Sequence, residues 1–454
     1  MSDPTMLAGR KIGVLGMGRS GLATARRLAR AGAEVVVFDD DPTKLDGLAH
    51  RPGTAGDVSG LSFLVVSPGV PLTHPAPHPL VEKAREAGVR LTCDVDLFAA
   101  ELRSKGHRLV AVTGTNGKST TATLIHHLLR AAGQEVLLGG NIGRPVFDLD
   151  LPESRATVVL ELSSFQLDLC SDLHPDVAVW LNLTADHLDR HGDLDNYVRA
   201  KRRLFARMNF DDHAVVGVDD APSIATADLL ARCTHVVRIG RAADADYRVA
   251  EGVLHHGDRP VCRLDTLESL RGAHNHQNAA AAVAALRCLG VDEAAIVAGL
   301  ATFESLPHRM EEVARLGSVR FVNDSKATNP EAAARSLASF HDIHWIAGGR
   351  PKPGGFGDLL PLVGHIAHGY FIGEAADALT ATFESRFATS RHASLQDALR
   401  AAADAASARP AEEVVVLLAP ACASYDQFRD FEQRGDLFRD EAKRIVAARM
   451  AVSS

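Results

Sequence analysis

Leu109-Val-Ala-Val-Thr-Gly-Thr-Asn-Gly-Lys-Ser-Thr120 changes character at its midpoint. The four apolar residues Leu109 to Val112 predict a buried strand, which Gly114 and Gly117 bring to a stop. From Lys118 onward, Thr121-Ala-Thr-Leu-Ile-His-His-Leu-Leu-Arg-Ala-Ala132 predicts a helix ended by Gly133. A strand passing through a glycine turn into a helix aims backbone N–H groups and the positive end of the helix dipole at one point. Lys118 adds a cation there, and the Ser119 hydroxyl can ligate a Mg²⁺ ion held between phosphates. An ordinary strand-to-helix loop can also contain Gly-Lys-Ser, and the strict phosphate-loop pattern wants glycine where Val112 stands. The shorter form Gly-Thr-x-Gly-Lys-Ser/Thr fits Gly114, Thr115, Asn116, Gly117, Lys118, Ser119 and Thr120, with its strand and helix both in place. A nucleoside-triphosphate site is expected.

At 454 residues the chain has room for about three domains of ordinary size. A hydrophobic content of 46% and a mean hydropathy of −0.01 describe a globular protein with ample core. The net charge of −8, with no basic block against it, argues against nucleic acid as a partner. Cys93, Cys170, Cys233, Cys262, Cys288 and Cys422 are scattered without a Cys-x-x-Cys pair, which fits reduced structural thiols better than disulfides or a zinc site. Met1 to Arg10 lacks the apolar core of a signal peptide, and no apolar run reaches membrane-spanning length. A cytoplasmic protein without membrane insertion is expected, and a monomer.

Working outward, Lys11 to Gly16 predicts a strand, Gly16-Met-Gly-Arg-Ser-Gly21 a tight turn, Leu22 to Arg30 a helix, and Glu34 to Phe38 a second strand ending in Asp39-Asp40-Asp41. This matches the dinucleotide fingerprint Gly-x-Gly-x-x-Gly with an acid about 20 residues on, so an NAD-dependent dehydrogenase is an alternative. Strands at Leu61–Val66 and Val89–Thr92, with a helix at Leu80–Ala87, complete a small α/β unit, and a first domain is expected over 1–96. Strands at Thr157–Glu161 and Asp176–Trp180 and an Ala-rich helix at Asn278–Cys288 place a second domain over 97–303. Strands at Val319–Asn323, Ile343–Ala347 and Glu413–Leu418, each followed by a polar loop, place a third over 304–454. Alternating strands and helices imply an α/β fold with mostly parallel sheets, whose ligands sit at the carboxyl ends of the strands.

Glu161, Asn182 and His187 fall just beyond predicted strand ends, as Gly114 does. A strand-terminal glutamate is ordinarily a surface charge; beside a phosphate loop, a carboxylate near Ser119 is how Mg²⁺ is commonly held. His187, within Asp186-His-Leu-Asp189, is a candidate for the same site. Tyr197 to Phe205 predicts an amphipathic helix, on which Lys201 belongs by pattern to a solvated basic face. His274 and His276 lie two residues apart and do not share a helix face, so a metal there is not expected; Asn278, at a helix N-terminus, is the better nucleotide contact.

Taken in order, Gly114–Thr120, Gly140–Gly143, Glu161-Leu-Ser-Ser-Phe-Gln166, Asp186-His-Leu-Asp-Arg190, Leu306-Pro-His-Arg309, Asn323-Asp-Ser-Lys-Ala-Thr-Asn329 and Pro420-Ala-Cys-Ala-Ser-Tyr-Asp-Gln-Phe428 resemble the Mur ligases of peptidoglycan synthesis, in particular the glutamate-adding branch, over essentially the whole chain. The resemblance implies three domains: a Rossmann-like one for the UDP part of the substrate, a central phosphate-loop domain, and a C-terminal Rossmann-like one for the amino acid. It also implies joining of D-glutamate to UDP-N-acetylmuramoyl-L-alanine through an acyl phosphate, with ATP and two Mg²⁺ ions; addition of another amino acid such as L-glutamate is the alternative within the family. By the same resemblance Lys118 contacts phosphates, Ser119 and Glu161 hold one Mg²⁺, and His187 with a carbamylated Lys201 helps hold a second. Asn278, Arg309 and Asp324 are implied for ATP, and Arg19, Ser20, Asn141 and His187 for the muramoyl substrate. Lys326 is implied for the tetrahedral intermediate, and Thr328, Lys352, Ser424 and the Phe431 backbone for glutamate. The family often carries Thr-Arg after the acid at position 39; Asp40-Asp41 stands here instead, and these carboxylates cannot donate to a diphosphate.

Overall fold

A computed structural model describes residues 7–46, 50–352, 354–408 and 413–452. The first six residues, part of the segment read above for a signal peptide, lie outside that set. The described chain forms an α/β fold with three sheets and divides into two compact units, one of 1–264 with 275–303, the other of 265–274 with 304–454.

The first unit holds two sheets. Strands Lys11–Leu15, Glu34–Phe38, Arg51–Pro52, Phe63–Val66 and Arg90–Thr92 form a fully parallel five-stranded sheet with Lys11–Leu15 at its centre. These are short β-branched runs, and the central one is covered on both faces, so a parallel arrangement is what their continuous apolar pattern calls for. The second sheet has nine strands. Within it Arg108–Thr113 is flanked in parallel by Thr157–Glu161 and Val177–Trp180, with Val136–Gly140 beyond the first and His213–Gly217 and His235–Gly240 beyond the second. Three further strands, Tyr247–Ala250, Val253–His256 and Arg259–Arg263, extend that edge, the last two pairings being antiparallel.

One buried cluster runs through both sheets of this unit, from Leu15, Val36 and Leu64 through Phe98 and Leu102 to Ala111, Leu160 and Trp180. The helix Asp94–Ser104 carries part of it, so the domain junction expected at residue 96 falls inside a helix whose inward face is shared by both sheets. The helix read as Tyr197–Phe205 begins at Leu194, where the Asp193 side chain accepts a hydrogen bond from the Asn196 amide, and tightens to a 3₁₀ turn after Arg202. The Ala-rich helix runs Ala273–Cys288, so Asn278 lies in its second turn and not at its N-terminus.

The second unit is built on a six-stranded sheet in which Val319–Asn323, Val414–Leu418, Ile343–Gly348, Ile366–Ile372 and Ala388–Arg391 are parallel and Glu311–Leu316 is an antiparallel edge. Cores lie on both faces, around Trp345 and Phe371 on one and around Phe321 and Phe438 on the other. The helix Pro330–Leu337 starts where its sequence says it must: Asn329 caps the Ala332 amide, and Pro330 occupies the first helical position, where no donor is missed.

Candidate active site

The phosphate loop leaves the carboxyl end of Arg108–Thr113 and enters the helix Lys118–Ala131. Gly117 caps that helix in the left-handed region, φ +86°, and a Cβ there would lie 2.2 Å from Asn278 Oδ1. Glycine is thus required twice over, by conformation and by the approach of Asn278, which is itself buried and donates to Asn275 Oδ1 at 3.1 Å. Asn182, from the end of the neighbouring strand, holds the loop open: its carbonyl accepts from the Thr115 amide (2.9 Å), and its side chain accepts from the Asn116 amide (3.0 Å) and donates to the Asn116 carbonyl (3.2 Å). Lys118 Nζ folds back onto the Gly114 and Thr115 carbonyls at 3.1 and 2.8 Å. Ser119 is buried and Thr120 half-buried in the first helical turn. Amides, a cation and a buried hydroxyl therefore converge at one strand end.

Beside them stands Glu161, buried at the end of the adjacent strand. Its Oε1 accepts from Asn141 Nδ2 at 2.7 Å, while Oε2 is buried with no hydrogen-bond partner. A buried carboxylate oxygen without a partner is costly unless a cation answers it, so the donor set fits a hard divalent ion such as Mg²⁺. Gly140 permits the arrangement, since a Cβ there would sit 2.4 Å from the Glu161 carbonyl.

Lys201 overturns the solvated-face reading. It is 1% exposed, donates to the Gly114 carbonyl (2.8 Å) and Thr113 Oγ1 (3.3 Å), and lies 4.9 Å from the Tyr197 ring centre. Burial first, and the Lys118 cation second, hold its amine well below the usual lysine range, against the pull of Asp186 and Glu161. Tyr197, not a candidate from the sequence, floors this lysine and approaches Thr115 Oγ1 at 3.2 Å. His187 sits at the rim, its side chain 43% exposed, in the left-handed region at φ 54°, with Phe165 edge-on at 5.0 Å and Asp186 Oδ2 at 3.5 Å.

Asn141 also lines a cleft of about 620 Å³ against the carboxyl end of the first sheet, together with Arg19, Ser20, Asp39, Lys44 and His78. Arg19 donates to the Gly143 carbonyl at 2.7 Å, joining the first-sheet turn to the Gly140–Gly143 loop. Burial alone would raise the Asp39 carboxyl; the Met17 and Asp41 amides and the Lys44 cation outweigh it and keep it below the usual range. Asp40 pairs with His78 Nε2 at 3.0 Å and Asp41 caps the Thr43 amide at 3.0 Å, so both are spent on local structure. Lys44, unremarked in the sequence, also lines this cleft and pairs with Asp39 Oδ1 at 3.4 Å.

The second unit gathers the rest. Asp324 is buried, accepts from Met310 N at 3.3 Å and from the Ser336 hydroxyl, and burial pushes it up to about 6. Arg309 acts on it as a nearby positive charge. Lys326 Nζ stands 3.6 Å above the Phe431 ring, and its amide donates to the His308 carbonyl. Thr328 follows two residues later; Lys352 is half-buried on the loop after Ile343–Gly348, and Ser424 is buried on the loop after Val414–Leu418. Among the thiols, Cys93 and Cys170 lie 3.6 Å apart beside Asp96; burial raises the Cys93 thiol, and the hydrogen bond with Cys93, then burial, raises that of Cys170.

Residues 112–286 match the Mur ligase middle domain, and residues 308–422 match the Mur ligase glutamate ligase domain. A UDP-N-acetylmuramoylalanine--D-glutamate ligase from Caulobacter sp. (strain K31) is 46% identical over 449 residues, covering 95% of each chain. This chain belongs to the Mur ligase family. A second ligase of the same printed description, from Chelativorans sp. (strain BNC1), is 44% identical over 98% of each chain. In fold, the Mur ligase architecture recurs in MurF from Acinetobacter baumannii (TM-score 0.63, 18% identity, 98% of this chain and 93% of that one). It recurs also in the UDP-N-acetylmuramate-alanine ligase MurC from Thermotoga maritima (TM-score 0.58, 18% identity, 98% and 100%).

Proposed function

We infer that this Mur ligase joins D-glutamate to the alanyl carboxylate of UDP-N-acetylmuramoyl-L-alanine in peptidoglycan precursor synthesis. The observation that carries the reading is the phosphate loop closed around Lys118, with the partnerless oxygen of Glu161 and the buried amine of Lys201 at the same sheet edge. It is supported by full-length relatives that bear that description.

A carboxylate does not condense with an amine at neutral pH because its oxygen is a poor leaving group. ATP would supply the phosphoryl group that makes the carboxylate an acyl phosphate, with ADP as the leaving group and phosphate expelled when the amine attacks, and Mg²⁺ would supply the charge neutralisation this transfer needs. The loop amides and Lys118 orient the phosphates and offset their charge. Ser119 and Glu161 offer hard oxygen ligands to one ion. His187 and Lys201 are assigned to a second: burial lowers the Lys201 pKa, so its amine gives up a proton more readily and, once neutral, can add CO₂ with release of a further proton; the carbamate would replace an ammonium that repels metal with oxygens able to bind it. In the second unit Lys326 offsets charge on the tetrahedral intermediate formed when the glutamate amine attacks. Thr328, Lys352, Ser424 and the Phe431 backbone hold the two glutamate carboxylates, and Asn278, Arg309 and Asp324 hold ATP. The 620 Å³ cleft takes the UDP-muramoyl moiety on Arg19, Ser20 and Asn141.

The reading keeps three ligand-binding domains, meeting near residues 96 and 304, the first and third Rossmann-like; the order of the first sheet, with its earliest strand central, supports the former. It takes the enzyme as a cytoplasmic monomer, and no described helix is long and apolar enough to cross a membrane. ADP release by the purified protein with UDP-N-acetylmuramoyl-L-alanine is the test, with D-glutamate, L-glutamate, meso-diaminopimelate and L-lysine offered separately. D-glutamate alone should support turnover, and Lys118→Ala should abolish it in a folded protein. Turnover with another amino acid, or undiminished turnover by Lys118→Ala, overturns the assignment.

A further inference from the structure

Arg434 is fully buried, the largest charged side chain in the core of the second unit. Among the described residues its hydrogen-bond acceptors are three carbonyls and one hydroxyl, with no carboxylate. Nε donates to Ser325 Oγ at 3.0 Å, and Nη2 to the Ser325 carbonyl at 2.9 Å. Nη1 donates to the Gly348 carbonyl at 3.4 Å, and both terminal nitrogens to the Cys422 carbonyl at 3.3 Å. Burial brings its pKa down to about 10, so it stays charged at neutral pH. A desolvated guanidinium costs several kcal/mol unless its donors are satisfied, and a leucine or methionine would fill the volume without that penalty. What it gains is a fixed fork: Ser325 lies on the loop that leaves Val319–Asn323, Gly348 is the last residue of Ile343–Gly348, where a second loop begins, and Cys422 lies on the loop that leaves Val414–Leu418.

Those loops carry Lys326 and Thr328, Lys352, and Ser424 respectively. Ser325, gripped through both its hydroxyl and its carbonyl, is the residue before Lys326, and its hydroxyl donates onward to the Phe431 carbonyl at 2.8 Å. The Phe431 ring in turn lies beneath Lys326 Nζ at 3.6 Å. The packing leaves little slack: a Cβ at Gly349 would meet the Ala423 carbonyl at 2.2 Å and Arg434 Nη1 at 3.2 Å, and a Cβ at Gly435 would meet His308 Nδ1 at 2.1 Å.

We propose that Arg434 is the positioning residue of the amino-acid site, its guanidinium pinning three strand-end loops in one register so that Lys326, Lys352 and Ser424 meet the incoming glutamate together. This rests on the functional reading above for the identity of the amino acid. Arg434 touches no substrate; it acts through backbone carbonyls. Arg434→Lys keeps the charge and loses the fork, and Arg434→Met loses both. Ser325→Ala removes the link from guanidinium to Phe431.

Steady-state kinetics of each variant, with the three substrates varied in turn and folding followed by circular dichroism, form the test. Since a misplacement of about 1 Å can cost on the order of 100-fold, kcat/KM for D-glutamate should fall roughly 100-fold in Arg434→Lys. The fall should be of similar size or larger in Arg434→Met and smaller in Ser325→Ala. KM for UDP-N-acetylmuramoyl-L-alanine should stay near the parent value in every case, because a general loss of structure would raise all three together. A folded Arg434→Lys with parental glutamate kinetics, or with all three KM values raised alike, overturns the proposal. If neither Arg434 variant folds, Ser325→Ala decides: a selective glutamate defect supports the pin, and parental kinetics refute it. A parent protein that releases no ADP with D-glutamate sinks the functional reading instead, so the two failures are told apart.

Discussion

Replacing Gly117 by alanine adds one carbon at the most confined point of the phosphate loop. At φ +86° an L-residue costs about 1–2 kcal/mol relative to glycine. The new Cβ would also stand 2.2 Å from Asn278 Oδ1 and 3.2 Å from Leu181 Cδ1, so something must move by close to 1 Å. Asn278 has little room to do so: it is 2% exposed and tied to Asn275. Overpacking of this kind costs roughly 1–3 kcal/mol. Together the terms come to about 2–5 kcal/mol, which should lower the melting temperature of Gly117→Ala by several degrees. The clash component is separable. In Gly117→Ala/Asn278→Ala the opposing amide is gone, and the double variant should be more stable than the sum of the single effects by about 1–3 kcal/mol, leaving the backbone cost. Thermal and denaturant melts of the four proteins measure this coupling. Additivity within error, or a parental melting temperature for Gly117→Ala, would refute the argument that Asn278 and the left-handed backbone jointly demand glycine.

Glu161→Gln replaces the partnerless carboxylate oxygen with a neutral amide and should raise the Mg²⁺ concentration for half-maximal activity by roughly 10- to 100-fold, read from a metal titration; an unchanged midpoint would remove Glu161 from the metal site. Lys201→Ala should stay folded with kcat reduced at least about 100-fold, and acetate should restore part of it by supplying the missing oxygens; full activity would return Lys201 to a structural role. His191, buried against Ser164 Oγ at 3.0 Å, is brought down to about 4 mainly by burial, so folding favours its neutral form. The unfolded chain takes up this proton near pH 6.5 and the folded one only near 4, so stability is lost as pH falls through that window; His191→Gln should flatten the melting temperature there, and an unaltered slope would clear His191 of the effect.

Much of this site was legible because its residues sit where periodicity breaks. The strand Thr157–Glu161 was readable residue for residue, and Glu161 stood out as a charge closing an apolar run. The loop from Gly114 to Thr120 announced itself by glycine, lysine and hydroxyl at fixed spacing. Less was legible where local pattern and tertiary placement disagree. Tyr247–Ala250, Val253–His256 and the edge strand Arg259–Arg263 are largely half-exposed, with too few apolar residues to show an alternation, and the antiparallel extension they form went unforeseen. The Ala273–Cys288 helix starts five residues before Asn278, a start hidden in the sequence because His274-Asn-His-Gln277 carries no apolar stripe to mark its first turn.

Lys201 and Arg434 show the deeper reason. Both lie on helices, Lys201 within the basic run Arg199-Ala-Lys-Arg-Arg203, which by pattern belongs to solvent, and Arg434 beside the acidic Glu432 and Asp436, with no apolar run to mark it as buried. A charge goes inward only when groups distant in sequence supply its donors or acceptors. For Lys201 these are Thr113 and Gly114, nearly ninety residues earlier; for Arg434 they include Ser325, |i−j| = 109. No window along the chain contains both partners. The resemblance to a ligase family implied a role for Lys201, although neither it nor Arg434 lies in the quoted motifs; Arg434 stayed hidden until three carbonyls were seen to face it. Buried charge of this kind is the part of a functional site that only the folded chain displays, because its cost of desolvation is met entirely by contacts made in three dimensions.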